Sequence, residues 1–446
     1  MWSILPKQYL DEYETKYRLL SNYPDQEYIL NTTDTHIFFP RLFYYTHPFK
    51  YLTLHKDSAF DGVININIES IIEPREYQLP ALAHIFKTFE TQGYVNGIIN
   101  AAPGYGKTAI STFITTTLKK KTLIVVDNEK LKEQFIDAYT SFTTLTIDDI
   151  GFIQGKKFDT DKVVTITLVQ TLISKIKKDL KGNYTKIRDC GFDLVIYDEV
   201  HKTSSGPKYA LSTLFINTPN IIGLSATPYV RNINKILLDN SIGDILYTAK
   251  SYELKPKLFF IKYTSSPDNK IRYMMGILKD YIKRQAVYNK HITNNENYLH
   301  VIYKLTKKCQ DSGHRIIIMV SSVAQITSII EYLDTNGITA KALYSKQTVV
   351  DKDNDKILVA TYKFASHGFD YKELSALILA SPYRGSIALI QMIGRILRLS
   401  EDKRQPVVFD LMDRNVAFLF ENAIIAKTKI FKDEFGDIEI KTLDLN

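Results

Sequence analysis

From about Glu73 onward, short runs of β-branched and other apolar residues alternate with stretches whose apolar positions recur every three to four residues. That alternation is the pattern of βαβ units, which build a parallel sheet with helices packed on it. The runs at 97–100, 122–127, 163–167, 194–198 and 221–225 read as buried strands. After Lys255 and Pro256 the cycle begins again, and 315–320, 356–361, 376–380 and 406–410 form a second set. The economical reading is an α/β chain of two lobes joined near 250–256. The lobes take residues 73–253 and 254–446, with a small accessory domain over 1–72 ahead of them.

The first 72 residues break the pattern. They carry aromatic-rich segments at 36–43 and 49–55 with no regular exchange of strand and helix. Aromatic side chains there fit a compact β core better than a surface for stacking bases. At 446 residues, 45% hydrophobic and 24% charged, the chain has ordinary globular composition, which excludes a disordered protein and leaves room for two or three domains. Lys and Arg outnumber Asp and Glu by 57 to 49, a formal charge of +8, which favours a polyanionic partner. The lysines at 119–121 and 175–181 are most simply solvated helix faces.

Two cysteines, Cys190 and Cys309, are too few for a disulfide framework and lack metal-ligand spacing, so a reducing intracellular compartment is expected, cytoplasm or nucleus. Pro6 and Lys7 stand where a secretory signal would need its apolar stretch. No later segment approaches the roughly 18 apolar residues of a membrane span, so no membrane partner is expected.

The chemistry begins at Ala101-Ala102-Pro103-Gly104-Tyr105-Gly106-Lys107-Thr108, between the strand ending near Asn100 and a helical stretch. Strand, glycine-rich loop and helix together make a phosphate cradle. Gly104 and Gly106 let the backbone curl so that successive N–H groups face phosphate oxygens, and the helix N-terminus adds its dipole. Lys107 would reach the β and γ phosphates, and the Thr108 hydroxyl would ligate Mg²⁺. Ala102, Pro103 and Tyr105 complete the loop. The second half of the site is Asp198-Glu199-Val200-His201, at the carboxyl end of a buried strand, where α/β sheets bind ligands. Asp198 would hold Mg²⁺ through water, and Glu199 would orient and deprotonate the attacking water.

Asp198-Glu199-Val200-His201 with Ser225-Ala226-Thr227-Pro228 resembles motifs II and III of superfamily 2 helicases, and Gln391-Met392-Ile393-Gly394-Arg395-Ile396-Leu397-Arg398 resembles their motif VI. Arg75-Glu76-Tyr77-Gln78 resembles the adenine-reading element ahead of the phosphate loop. Gly368-Phe369-Asp370 resembles a motif V turn. Leu131 and Gln134 are similar to motif Ia, although Asp127-Asn128 stands where Pro-Thr is common. Residues 167–172 resemble motif Ib, and Ser321-Ser322 ends a strand like that of motif IV. The resemblance covers about residues 73–415. Within the superfamily it is nearest the branch containing XPB, phage UvsW and the poxviral transcript-release helicases. The segment Ile37-Phe38-Phe39-Pro40-Arg41-Leu42-Phe43-Tyr44 also resembles a stretch of the poxviral type.

What the resemblance implies is a pair of tandem RecA-like lobes with ATP and Mg²⁺ between them. Arg75, Gln78, Gly104, Gly106, Lys107, Thr108, Asp198 and Glu199 then come from the first lobe. Gly368, Asp370, Gln391, Arg395 and Arg398 come from the second, its arginines acting on the γ phosphate. Ser225 and Thr227 would relay between the ATP and strand sites, with His201 and Gln391 as a further bridge. The implied partner is nucleic acid, DNA before RNA, with 3′ to 5′ movement, in viral transcript release or in repair and recombination, where transcription or repair machinery would be a further partner. The rivals are an RNA helicase and a non-enzymatic nucleic-acid-binding scaffold. The joint presence of Lys107, Glu199, Arg395 and Arg398 argues against the scaffold.

Overall fold

The computed structural model describes residues 2–12, 31–32, 34–39, 50, 53–55, 66–179, 187–201, 210–213, 216, 218–228, 232–249, 254–266, 277–278, 280–344, 351, 354–365, 371–383, 386–398, 400 and 403–445. Two compact units, Met1–Ala249 and Lys250–Asn446, divide the chain.

The first unit opens with four short strands, β1 (Trp2–Pro6), β2 (Asn31–Thr32), β3 (His36–Phe39) and β4 (Thr53–His55), paired antiparallel in the order β2-β3-β1-β4. Leu5, Ile37 and Phe39 are buried, and Phe38 joins the same apolar cluster as Leu172, Val195 and Ile221 of the following sheet. Ile66 and Ile68 also lie in a core of that sheet, so its packing takes in residues ahead of Glu73. Pro40 to Tyr44, part of the poxviral-like segment, lie outside the described residues.

The main sheet of this unit has eight strands. They are β5 (Asn96–Ala101), β6 (Thr122–Val126), β7 (Ile150–Gln154), β8 (Lys157–Phe158), β9 (Val164–Leu168), β10 (Leu194–Asp198), β11 (Ile221–Ser225) and β12 (Ile245–Ala249), in the order β12-β5-β11-β10-β6-β9-β7-β8. Every pairing is parallel except the hairpin β7–β8. Alternate residues of one strand feed two different cores. Leu123, Val125, Val195 and Tyr197 lie in one cluster, whereas Ile124, Val126, Leu194 and Ile196 lie in the other. A strand buried on both faces needs apolar residues throughout, which is why these segments read as continuous runs.

The second unit repeats the scheme with β13 (Lys257–Tyr263), β14 (Arg315–Val320), β15 (Lys341–Leu343), β16 (Ile357–Thr361), β17 (Leu374–Leu379), β18 (Val407–Asp413) and β19 (Ile440–Asp444). Their order is β15-β16-β14-β17-β18-β13-β19, parallel throughout. Ile261, Ile318, Leu358, Leu377 and Val408 share its core. Two buried carboxylates sit on β18, Asp410 at its middle and Asp413 at its end. Asp410 pairs with Lys427 at 2.7 Å, with both side chains under 5% exposed. Asp413 accepts from the backbone N–H groups of Ser265 and Asn415 and from the Tyr288 hydroxyl. Burial pushes the Asp410 carboxyl upward, and the Lys427 ammonium opposes it.

Both cysteines are buried free thiols. No described helix is long and apolar enough to cross a membrane.

Candidate active site

The sheet order assembles the site. Strand β11 lies between β5 and β10, with Ser225 opposite Asn100 and Leu224 opposite Asp198. The phosphate loop, Ser225 and the acidic pair therefore leave three adjacent parallel strands at the same, carboxyl, edge.

The loop itself is held by its backbone. Gly104 and Gly106 have φ of +87° and +84°, a left-handed region closed to most side chains. Ala102 donates its N–H to Ala249 O at 3.1 Å, and Tyr105 donates to Ala102 O at 3.1 Å. Pro103 sits in the turn between them. The helix Lys107–Leu118 follows directly, capped by Gly106 with no side chain on its first N–H groups. Those donors face the end of the loop, as an anion site requires. Lys107 Nζ donates to Ala101 O at 3.1 Å and to Ala102 O at 3.4 Å, which draws the ammonium over the loop. Thr108 follows on the first turn, half-buried.

On the base side, Gln78 is 3% exposed. Its Oε1 accepts the Arg75 N–H at 3.0 Å, and its Nε2 donates to Tyr105 O at 3.0 Å. The Tyr105 hydroxyl donates to Tyr77 O, and the two tyrosine rings lie 5.1 Å apart. Burial first, then Tyr247 and Tyr77, pushes the Tyr105 hydroxyl up to about 12. Arg75 is exposed and donates from Nη1 to the Tyr77 hydroxyl at 3.1 Å. The tyrosine pair was not foreseen from the sequence. A loop tyrosine carries no signal of where its hydroxyl goes.

At the end of β10, Asp198 retains some solvent access but is enclosed by protein on most sides. That burial, reinforced by the neighbouring Glu199 charge and opposed by Lys107, pushes its carboxyl from 3.8 up to about 7. Asp127, at the end of adjacent β6, adds to the effect. Glu199 itself takes φ +47°; among the described residues only Lys119 is a second non-glycine residue at positive φ. Such a backbone costs about 1–3 kcal/mol and persists where the surroundings impose it. Its neighbours Val200 and His201 are both engaged with β11. Val200 packs on Gly223 of β11, where a Cβ would come within 2.8 Å of Val200 Cγ2. His201 Nδ1 lies 3.2 Å from Glu199 Oε2 and 3.3 Å from Ser225 Oγ. Ser225 Oγ in turn accepts the Thr227 N–H at 3.1 Å. His201 thus links the acidic pair to the Ser-Ala-Thr-Pro segment within one unit.

Asn128, which departs from the motif Ia pattern, has a local reason. It caps the helix Glu129–Phe142 by accepting the Leu131 N–H at 3.0 Å, while Asp127 O accepts from Gln170 Nε2 at 3.1 Å. In the second unit, Gln391 and Arg395 lie on the helix Ser386–Ile396 and Arg398 just beyond it. All three are half-buried at spacings of four and three, whereas Ile390, Met392, Ile393, Ile396 and Leu397 are buried in the core. One stripe of that helix is therefore polar and the rest is anchored. Gly368 and Asp370 lie outside the described residues. Among the described residues no cluster of three or more His, Cys, Asp or Glu forms a closed metal cage.

Comparison with known proteins bears on this geometry. Residues 71–230 match the family described as type III restriction enzyme, res subunit, and residues 297–400 match the helicase conserved C-terminal domain. A putative ATP-dependent RNA helicase of Acanthamoeba polyphaga mimivirus is 27% identical over 354 residues, covering 76% of this chain and 64% of that protein. The DNA 3'-5' translocase XPB2 of Sulfurisphaera tokodaii is 23% identical, covering 81% and 86%. The transcript termination protein A18 of Yaba monkey tumor virus is 22% identical, covering 73% and 70%. The chain thus spans under two thirds of the mimivirus relative's length. Among solved structures, Dbp5 of S. cerevisiae bound to RNA and ADP BeF3 superposes with a TM-score of 0.53 at 15% identity, over 84% of this chain and 90% of that one. The Hef helicase domain of Pyrococcus furiosus gives 0.52 at 15% identity, over 78% and 98%. Both likenesses are of fold: two RecA-like lobes in tandem.

Proposed function

Because the chain belongs to the superfamily 2 helicases, of the type that includes XPB and the poxviral transcript termination proteins, we propose that it hydrolyses ATP at the Lys107–Asp198–Glu199 site and uses the cycle to move along nucleic acid, DNA in the first place. The observation that carries this reading is the convergence, at one edge of one sheet, of a left-handed glycine loop, a lysine drawn over it and a strained glutamate held by His201.

Each residue has a derivable role. The loop N–H groups and Lys107 bind the phosphates and orient the bond to be broken. Glu199 accepts a proton from the attacking water, and the His201 contact fixes the direction from which it does so. The donor set fits magnesium: a helix-start hydroxyl at Thr108, and in Asp198 a carboxylate crowded by the negative charge of Glu199 and Asp127. Bound with the nucleotide, that ion neutralises charge on the phosphates. Ser225 and Thr227, tied to Glu199 through His201, carry the state of the phosphate site toward the strand-binding surface. For Gln391, Arg395 and Arg398 of the second lobe, the resemblance supports the role of arginines that stabilise charge developing in the transition state.

The +8 charge suits a strand held mainly by its phosphates. Movement from 3′ to 5′ and a place in viral transcript termination follow the relatives named for those roles, and a place in repair or recombination follows the family resemblance alone. The second reading is an RNA helicase, favoured by the name of the mimivirus relative. ATP hydrolysis measured without nucleic acid, then with single-stranded DNA, duplex DNA and RNA, decides between them. Stimulation by DNA that falls steeply with salt supports the first reading, and a requirement for the 2′-hydroxyl supports the second. Hydrolysis indifferent to both polymers and to salt overturns the motor assignment.

A further inference from the structure

The resemblance sets Arg398 to act on the γ phosphate, yet the helix Ser386–Ile396 ends before it. The Arg398 N–H reaches Arg395 O only at 3.4 Å, too long for a strong bond. The Arg398 carbonyl is held instead by Lys403. Lys403 Nζ donates to Arg398 O and also to Lys372 O, the latter at 2.6 Å, and the residue is half-buried. Lys372 stands just ahead of β17, the strand between β14 and β18, where Leu374 and Ser375 are buried. In the chain it also comes just after Asp370, so one ammonium joins the ends of both second-lobe segments that the resemblance assigns to ATP. The residues that follow Lys403 are anchored too. Arg404 lies over Gly313, where a Cβ would come within 3.2 Å of Arg404 Nε, and Gln405 Nε2 donates to Lys255 O at 2.6 Å.

A lysine with nothing to hold turns its flexible stem to water. Lys403 instead sits beside a second cation. Burial first and the Arg398 charge second push its ammonium down to about 8, against the pull of Glu373. The two carbonyls offset that cost, since a bond from an ammonium is roughly twice as strong as one between neutral groups. We propose that Lys403 is a positioning residue, which fastens the Arg398 backbone to the start of β17 and so sets where the Arg398 guanidinium stands when ATP is hydrolysed. The proposal rests on the reading of Arg398 as an arginine that acts on the γ phosphate. Lys403 acts through that backbone alone. The effect on rate is large because a displacement of about 1 Å near reacting atoms costs about 10²-fold.

The test uses the full chain with magnesium and single-stranded DNA. It compares wild type with Lys403→Met, Lys403→Arg, Arg398→Ala and the double variant of Arg398→Ala with Lys403→Met. Measured are kcat, ATP affinity, affinity for ADP with aluminium fluoride as a mimic of the transferring phosphoryl group, and Tm. Lys403→Met keeps the stem and loses the donors. It should lower kcat by about 10- to 100-fold and weaken the aluminium fluoride complex by a similar factor, with ATP affinity within about threefold of wild type. Lys403→Arg restores charge and donors and should recover most of the loss. In the Arg398→Ala background, Lys403→Met should cost about threefold or less, because residues that act as one unit are not additive. If Lys403→Met melts before it can be assayed, Lys403→Gln, whose polar tip is too short for both carbonyls, takes its place in every comparison. The proposal is overturned if the Lys403 variant lowers kcat equally in both backgrounds, which marks a purely structural staple. It is also overturned if that variant turns over like wild type while Arg398→Ala loses orders of magnitude. An Arg398→Ala protein with undiminished kcat would instead overturn the assignment of that arginine to the γ phosphate, and this proposal with it.

Discussion

Replacing Glu199 by Gln should cut turnover by orders of magnitude and, at alkaline pH, make the protein more stable. The variant keeps the side-chain volume but removes one of two adjacent negative charges. Asp198 is raised from 3.8 to about 7, by burial first and by Glu199 second. A tenfold easing of Asp198 ionisation on removal of the Glu199 charge is worth about 1.4 kcal/mol. In a unit spanning Met1–Ala249 that corresponds to about 3–6 °C in Tm. The sign with pH follows from the raised value. Asp198 stabilises the fold most below its unfolded value near 3.8, and that contribution is lost as pH rises through about 7. At pH 8 both carboxylates are ionised in wild type and the variant gains fully. At pH 5 Asp198 is protonated in the folded state and the gain fades. Thermal unfolding of both proteins at pH 5 and pH 8, with ATP binding and hydrolysis, reads all three effects. Because Lys107 and the loop are untouched, ATP should still bind, while loss of the general base should cost about 10² to 10⁴ in kcat. A variant that is less stable at pH 8, or equally shifted at both pH values, would refute the charge-crowding account, and undiminished turnover would refute the role of Glu199.

Arg395→Ala should lower kcat by about 10³ to 10⁵ with far less change in ATP affinity, the mark of an interaction made in the transition state. Unchanged kcat in steady-state assays would return the arginine to a solvated helix face. Lys427→Met should destabilise the second unit by about 3–5 kcal/mol, because it leaves the Asp410 carboxylate buried at 2% exposure without its partner. Adding Asp410→Asn should recover most of the loss in denaturant titrations. A single variant that matches wild type would show that Asp410 is not charged there.

Strands such as β6 and β11 could be read off the chain because both of their faces are buried, so nearly every position is apolar. The edge strand β19 was missed for the converse reason. Its residues are largely exposed, which leaves a mixed polar sequence like that of a loop. Strand β13 was passed over although it is mostly apolar, because its place depends on pairing with β18 and with β19 far along the chain.

In the site, what the sequence by itself determined is whatever chemistry demands at short range. Phosphate binding needs Gly104, Gly106, Lys107 and Thr108 at fixed spacing on one strand-loop-helix, and a metal and a water need Asp198 and Glu199 at one strand end. Only the tertiary structure decided which groups those residues meet. Sheet order placed β11 between β5 and β10, so that His201 could meet both Ser225 and the carboxylate of Glu199, whose backbone is left-handed. It also set Asp127 beside Asp198 and turned the Gln78 amide onto Tyr105. A side chain's partner across strands is fixed by packing and register between segments distant in sequence, and no spacing along one chain encodes it.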